Sequence, residues 1–493
     1  MDFELFAAGM MSVLQWKSLL LIFLGVTGGI LIGSLPGLTA TMGVALLVPF
    51  TFGLPLNESI GMLLGIFCGA IYGGSISAIL IRTPGTPAAA ATLLDGYPLS
   101  QRGEAGRALS MSVFSSFVGG FTGALIMTFL SPQISKFALQ FGPGEYFGLA
   151  VFGLSIIISV SSSSILKGII VGFLGLLIST IGMDPISGFP RFTFGSVDLF
   201  EGPAFIPTLI GLFAFSEVFK GVETLSVKKH TVQRIKNVFP CMSDIKRTWK
   251  DIGISSVLGT FIGSIPGAGS DIAAFVGYSE AKRRSKNPEE FGKGAIEGVA
   301  AAESANNACT GGAMIPMLSL GIPGDAVTAI LLGAFVIQGL QPGPMLYQDH
   351  MDVVYTVFSS MMLANVAMLI VGLIGIRFFA RAITVRKSIL LPTIFVLSIV
   401  GAYSMRNSMF DIWVALFFGL VGYFLQRYRF PVSPILLALI LGPMAESNLR
   451  RALIIADDSM FSVMSRPITA TLLVLGILTL ITSVLRHKKS EKK

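Results

Sequence analysis

The chain is predicted to be an all-α, polytopic integral membrane protein with about 10 to 12 transmembrane helices, some broken or re-entrant, arranged as two inverted-topology repeats. Three observations predict this class. Of 493 residues, 53% are hydrophobic and only 13% charged, against about 25% charged in soluble domains, so the polar surface of a water-soluble fold is missing. Long apolar runs recur, among them Leu19 to Ile32 and Thr469 to Ile481. A glycine-proline signature occurs twice, as Gly33-Ser34-Leu35-Pro36-Gly37 and as Gly263-Ser264-Ile265-Pro266-Gly267. Each copy is followed by a second break, Thr83-Pro84-Gly85-Thr86 and Ile322-Pro323-Gly324-Asp325. Helices broken at matching places in two halves point to a transporter.

The mean hydropathy of +0.78 and the continuous character of the apolar runs favour helices over a β-barrel, whose strands alternate over ~10 residues. No cleavable signal peptide is expected, because Met1-Asp2-Phe3-Glu4 is acidic where a basic region belongs. Cys68, Cys241 and Cys309 have no paired spacing, which argues against a disulfide framework or a thiolate metal site. The net charge of +8 sits in loops flanking apolar segments, so it reads as membrane orientation and not as nucleic-acid binding.

Loop charges make the orientation specific. Lys228, Lys229, Arg234, Lys236, Lys246, Arg247 and Lys250 form one basic loop, and Lys282, Arg283, Arg284, Lys286 and Lys293 another. The positive-inside rule makes both loops, 228–250 and 282–293, cytoplasmic. Only about thirty residues, Asp251 to Ala281, separate them, too few for two full spans. That segment is therefore expected to be a re-entrant hairpin with its tip at Pro266-Gly267-Ala268-Gly269. The clusters Arg377 to Lys387, Arg427 with Arg429, and the tail Arg486-His487-Lys488-Lys489 also go to the cytoplasm, and the loops Asp184 to Glu201 and Asp349 to Asp352 to the opposite side.

The copies align at an offset of 230 residues at the first break and 239 at the second, with the polar insert Ser279 to Gly294 taking up the difference. Flanking charges reverse between them: Asp2, Glu4 and Glu58 border the first hairpin, and the basic loops border the second. Opposite charges around equivalent elements imply opposite orientations. The expected organisation is an N-terminal membrane repeat, 1–220, broken at 36–37 and 84–85; a basic cytoplasmic loop, 221–250; and a C-terminal membrane repeat, 251–493, broken at 266–267 and 323–324 and ending in a basic tail.

Glycines at four-residue spacing, such as Gly25, Gly29 and Gly33, can also serve only close helix packing. The ordered duplication favours a substrate site. A broken helix frees amide donors at one half-helix end, which attract anions, and carbonyls at the other, which suit cations. Candidate substrate-binding residues are Ser34, Pro36, Gly37, Thr39, Thr83, Pro84, Gly85, Thr86, Ser264, Pro266, Gly267, Gly269, Pro323 and Gly324. Thr41 and Ser270 are further hydroxyls beside the breaks. Such a site suits a carboxylate and a coupling cation.

Candidates for ion coupling are Asp271, Glu303, Asn306, Asn307 and Asp325. Glu303, Asn306 and Asn307 fall at i, i+3 and i+4, on one face of a helix otherwise built of small residues, where polar groups need partners or water. Asn306 and Asn307 line a cation or substrate site with Glu303 nearby, or else the three form an interhelical hydrogen-bond clamp or Glu303 lies close to the cytoplasmic surface. Asp271 and Asp325 either couple the ion or cap a half-helix. Arg82 pairs with a substrate carboxylate or snorkels to the interface.

Enzymatic readings lack residues. His230, His350 and His487 lie in loops or the tail, so no histidine cluster exists for haem, zinc or a triad, and no GxxxxGK[ST] phosphate loop occurs. The chain is not expected to be an enzyme or to carry a cofactor, and no metal site beyond one for Na⁺ is expected.

The segments Gly33-Ser-Leu-Pro-Gly-Leu-Thr-Ala-Thr-Met-Gly43, Leu47-Val-Pro-Phe-Thr-Phe-Gly53, Thr83-Pro-Gly-Thr-Pro87, Asp95-Gly-Tyr-Pro98, Gly263-Ser-Ile-Pro-Gly-Ala-Gly269, Glu303-Ser-Ala-Asn-Asn-Ala308, Gly321-Ile-Pro-Gly324 and Gly339-Leu-Gln-Pro-Gly-Pro344 resemble the large, TctA-type membrane subunit of bacterial tripartite tricarboxylate transporters. The resemblance runs in order across nearly the whole chain. It implies a multi-pass permease of the bacterial cytoplasmic (inner) membrane that works with a small membrane subunit (TctB-like) and a periplasmic solute-binding protein (TctC-like). It further implies import of carboxylates such as citrate with Na⁺ or H⁺, by alternating access. The positions carried over are Pro36-Gly37, Pro84-Gly85, Pro266-Gly267, Pro323-Gly324, Asn306 and Asn307. Arg82 and Asp325 stand where a neutral polar residue is expected at least as often, which bears on substrate identity. The alternative is a stand-alone secondary anion transporter or channel that needs no binding protein; a four-span membrane protein and a secreted binding protein encoded alongside would argue against it.

Overall fold

The structure, a computed structural model, describes residues 3–35, 37–160, 164–184, 186–223, 235 and 238–490. In chain order its helices are α1 (Phe3–Val13), α2 (Trp16–Ser34), α3 (Ala40–Leu47), α4 (Leu56–Ile81), α5 (Ala89–Gln101), α6 (Ala105–Ala138), α7 (Pro143–Val160), α8 (Ile165–Ser179), α9 (Phe205–Leu209), α10 (Ser216–Glu223), α11 (Met242–Gly263), α12 (Gly269–Arg284), α13 (Ile296–Leu320), α14 (Ala326–Ile337), α15 (Leu346–Asp349), α16 (Met351–Ala382), α17 (Lys387–Ser404), α18 (Met409–Arg427), α19 (Ser433–Ile455), α20 (Met460–Met464) and α21 (Pro467–Ser490). Two short strands, β1 (Gly182–Met183) and β2 (Pro190–Arg191), pair antiparallel. Among the described residues eight helices are long and apolar enough to cross a membrane. The chain is an all-α, multi-pass membrane protein. α11, α13 and α19 are as long as these spans but carry charges or small polar residues.

Two compact units emerge, and they cut across the sequential halves. One comprises Met1–Ile134 with Lys220–Leu397, the other Ser135–Phe219 with Ser398–Lys493.

In the first unit the breaks follow from backbone chemistry. Proline lacks an N–H and drives the preceding residue out of the helical region, and left-handed glycines complete the turns, Gly37 at φ +93° and Gly267 at φ +84°. α4 ends in a left-handed Arg82, φ +57°, and α13 in a left-handed Gly321, φ +72°. Those two residues are equivalent at the 239-residue offset.

Packing recurs at the same offsets. A Cβ on Gly29 of α2 would lie 2.4 Å from the Ile66 carbonyl oxygen of α4, and one on Gly33 2.3 Å from that of Ala70. On α11, Gly259 and Gly263 meet the carbonyl oxygens of Ala305 and Cys309 on α13 at 2.2 and 2.6 Å. These are the residues 230 and 239 positions on. Glycine lets the backbones touch, so dispersion contacts replace the hydrophobic driving force that lipid removes. The close-packing reading of the glycines and the break reading both apply. The halves also interlock reciprocally: α5 packs on α12 and α13, and α14 packs on α3.

The second unit packs α7 against α19 and α21, and α8 against α19. A π-helical stretch, Ile210–Phe215, joins α9 to α10 and lies on α18, where a Cβ on Gly211 would come within 2.4 Å of the Ala415 carbonyl oxygen. The loop after α8 is ordered by Asp184, which accepts the amides of Ile186 and Ser187 at 2.9 and 2.8 Å and pairs with Arg450 at 2.7 Å. Arg191 of β2 pairs with Glu446 at 2.6 Å.

Candidate functional site

In the second half of the chain the two breaks meet directly. α11 stops at Gly263, the turn runs through Ser264 to Ala268, and the Gly267 amide donates to the Gly324 carbonyl at 2.7 Å. Antiparallel arms α11 and α12 pack on each other, with the turn at the expected tip. Pro323 and Gly324 are buried, and a Cβ on Gly324 would lie 2.6 Å from Ala313 Cα. Ser264 donates to the Phe261 carbonyl at 2.7 Å. Asp325 is the N-cap of α14: its carboxylate accepts the Thr328 amide at 2.7 Å in a reciprocal capping box.

The first half repeats this with different detail. Gly85 is buried, its amide donates to the Gly74 carbonyl at 3.2 Å, and a Cβ on it would meet the Gly33 carbonyl at 2.1 Å and Gly74 Cα at 3.0 Å. Gly74 and Ala313 are again equivalent, so both second breaks rest on the same place of the long helix before them. Ser34 is buried and donates to the Leu31 carbonyl, while Thr39 caps α3 by accepting the Met42 amide at 3.2 Å. Pro36 lies outside the described residues. Thr83 donates to the Ile81 carbonyl at 3.4 Å, and the buried Thr86 hydroxyl has no partner among the described residues. Arg82 is exposed, with its guanidinium 5.7 Å from the centre of the Tyr97 ring.

Across the halves, Pro87, two residues before α5, and Asp271 in the first turn of α12 line one open cleft of about 580 Å³ with Ile272, Phe275, Ser279 and the ion pair of Glu280 and Arg283. Neither α5 nor α12 has a side-chain N-cap bond, unlike α3 and α14. Asp271 instead turns its carboxylate toward the amides of its own residue and of Ile272. The N-terminus of α12 therefore borders the cleft and already holds a carboxylate, whereas the first amides of α5, those of Ala89, Ala90 and Ala91, donate to the carbonyls of Thr86, Pro87 and Ala88.

A second polar cluster lies on α13. Glu303 is fully buried; its Oε1 accepts from Thr92 of α5 and its Oε2 from Ser116 of α6 at 2.8 Å. Asn307 Nδ2 donates to Ser116 Oγ at 2.8 Å and to the Glu303 carbonyl at 3.1 Å. Asn306 is fully buried with neither amide atom partnered, and Asn307 Oδ1 is also unpartnered, among the described residues. The structure thus joins Glu303 and Asn307 in one network and sets Asn306 beside it.

Sequence reasoning missed Thr92, Ser116 and the role of Asp95. Ser112 and Ser116, one turn apart in the apolar α6, are the readable signal for such a site. Asp95, buried on α5, accepts the amides of Gly292, Gly294 and Ala295 at 2.8, 2.7 and 2.9 Å, pinning the polar insert that leads into α13. Arg102 donates to the Lys293 carbonyl at 2.6 Å, and Arg107 grips Asp244 with two bonds of 2.7 Å. Of the basic loops, Lys228, Lys229, Arg234 and Lys236 lie outside the described residues, and among the described residues no cluster of three or more metal-ligating side chains occurs.

Residues 19–437 match the Tripartite tricarboxylate transporter TctA family. An uncharacterized 52.8 kDa protein in the TAR-I ttuC' 3' region of Agrobacterium vitis is 38% identical over 470 residues, covering 95% of this chain and 94% of that protein. A second Agrobacterium vitis protein, from the TAR-II ttuC' 3' region, is 39% identical over 234 residues, which is 48% of this chain and 97% of that protein. No solved structure matches.

Proposed function

This chain belongs to the tripartite tricarboxylate transporter TctA family, and on that premise we propose that it is the large permease subunit of a binding-protein-dependent carboxylate importer. The observation that carries the reading is the cleft bordered by Pro87 and Asp271, where α12, which begins at the Pro266-Gly267 break, presents an N-terminus without a side-chain cap beside the chain that leaves the Pro84-Gly85 break. Helix N-termini attract carboxylates, and Arg283, paired with Glu280, lines the same cleft. The proposed substrates are citrate-like carboxylates, held by Thr83 to Thr86 and by Ser264 to Gly269, with Gly37 and Thr39 and with Pro323 and Gly324 supporting the turns.

Recurrence of the glycine contacts at offsets 230 and 239 supports an inverted pair of hairpins that exchange access between the two sides of the membrane. Na⁺ or H⁺ supplies the energy. The capping box of Asp325 supports a structural role for that residue, leaving Asp271, Glu303, Asn306 and Asn307 as the coupling candidates. A TctB-like small membrane subunit and a TctC-like periplasmic binding protein are the proposed partners, the membrane is the bacterial cytoplasmic membrane, and the described basic residues Lys246, Arg247, Lys250 and Lys282 to Lys293 face the cytoplasm. Labelled-carboxylate uptake by cells that express the chain with and without both partners tests the reading. Uptake that needs the binding protein is expected; equal uptake without it would establish the stand-alone transporter instead.

A further inference from the structure

We infer that the Glu303 carboxyl, held by the hydroxyls of Thr92 and Ser116, the latter fixed in turn by the Asn307 amide, is a proton-binding site, and that the proposed uptake is coupled to a proton gradient through it. The inference deepens the importer reading and rests on it for the coupling, though not for the proton site itself.

Glu303 is fully buried, and among the described residues it forms no ion pair; its side-chain partners are neutral hydroxyls. An ionised carboxylate in such a place costs several kcal/mol, so a positive charge must enter with it or a proton must sit on it. The donors decide between these. Asn307 Nδ2 bonds both Ser116 Oγ and the Glu303 carbonyl, and flipping the amide would set two carbonyl oxygens against each other. An NH₂ group therefore faces the cluster where a hard cation needs converging oxygens. Ser116 has its oxygen engaged by Asn307 and its proton given to Glu303.

A proton fits the same cradle in both states. Hydroxyls donate and accept, so Thr92 can give its proton to the carboxylate or receive one from the acid. Ser112, one turn before Ser116 on α6, bonds Ser75 at 2.8 Å with either oxygen as donor. The step is simple: a carboxylate oxygen takes H⁺ from water on one side and releases it on the other.

The polar set is not needed for packing. At the 239-residue offset, α4 carries Leu64, Phe67 and Cys68 where α13 carries Glu303, Asn306 and Asn307, yet α4 packs on α2 as α13 packs on α11. Titratable groups on the surrounding elements include Cys68 and Tyr72 on α4, Asp95 and Tyr97 on α5, Arg107 on α6, Asp271, Tyr278 and Glu280 on α12, Cys309 on α13, Asp325 before α14 and Tyr347 on α15. Of these Tyr72, whose hydroxyl is buried without a partner among the described residues, interacts electrostatically with Glu303. Asp95 is committed to three amides and Asp325 to its cap.

Infrared difference spectroscopy on the purified full chain, titrated with pH and exchanged into D₂O, tests the site without any substrate. A carbonyl stretch of a buried protonated carboxyl is expected in the wild type, absent from E303Q, shifted in S116A and T92V, and unmoved when Na⁺ is replaced by K⁺. An identical band in wild type and E303Q, or a band that Na⁺ removes, overturns the inference; should E303Q fail to fold, an unshifted band in both hydroxyl variants does the same. In proteoliposomes with both partner subunits, pH-gradient-driven accumulation is expected to be lost in E303Q, and its persistence overturns the coupling. A wild type that shows the band and transports no carboxylate sinks the importer reading alone.

Discussion

The amide of Gly267 donates to the carbonyl of Gly324 at 2.7 Å, so the hairpin tip and the second break of the same half are one structural piece, tied by backbone alone. A bond of this kind survives side-chain replacement but not a change in the distance between the turns.

Space around the breaks is therefore the first thing to test. Gly324→Ala puts a methyl 2.6 Å from Ala313 Cα, and Gly85→Ala puts one 2.1 Å from the Gly33 carbonyl; each is expected to destabilise by roughly 1–3 kcal/mol and to abolish uptake. Gly253→Ala meets nothing within 4 Å on α11 and is expected to leave stability unchanged or to raise it by up to about 1 kcal/mol. Thermal unfolding in detergent reads all three.

Asp95 holds three amides of the insert before α13. Removing its carboxylate in D95A leaves one buried donor, the Ala295 amide, unpaired and returns those of Gly292 and Gly294 to water, so a loss of roughly 1–3 kcal/mol is expected, with early proteolysis near Gly292. D95N, which keeps one acceptor oxygen, is expected to fall between; equal stability of D95A and wild type would contradict the assigned role.

Acid sensitivity of the second unit follows from Asp184, which lies in a loop outside the spans. The amides of Ser187 and Ile186, and then the Arg450 guanidinium, hold its carboxyl well below the usual carboxylate range. A depressed carboxyl stabilises the fold above its unfolded-state pKa, and that contribution is lost only as pH falls through the folded value. Its bonds to Arg450 are thus expected to persist into strong acid, and D184N is expected to lower stability near neutral pH while flattening the acid limb of the stability profile. Unfolding midpoints across an acid series check this.

Much of the site was legible in the residues because proline and glycine act locally: the breaks fall where Pro84, Pro266 and Pro323 stand, and i, i+4 spacing placed Glu303 and Asn307 together. What was not legible depends on long-range contact. Thr92 and Ser116 reach Glu303 across 211 and 187 positions, and no local pattern announces such a partner. The compact units each join two distant segments, which hydropathy cannot show. Asp271 and Asp325 looked alike beside their breaks, yet Asp325 is occupied by Thr328 and Asp271 lines the cleft.

Arg82 separates a substrate ligand from a helix terminator. It is exposed, left-handed and stacked on Tyr97, and its equivalent is Gly321. Arg82→Gly is expected to keep stability within ~1 kcal/mol, relief of the left-handed strain offsetting the lost ring contact, and to leave the apparent affinity for carboxylate unchanged. A large rise in the half-saturating substrate concentration would show that Arg82 binds the anion.

The central claim is that the cleft beside Pro87 and Asp271 admits a carboxylate delivered by a binding protein. Uptake of labelled citrate into proteoliposomes containing the chain and its small membrane subunit, with the loaded binding protein supplied outside, tests it most directly. The account predicts accumulation that requires the binding protein and an ion gradient and disappears in Gly324→Ala; accumulation that persists without the binding protein, or no accumulation of any carboxylate by an intact assembly, would contradict it.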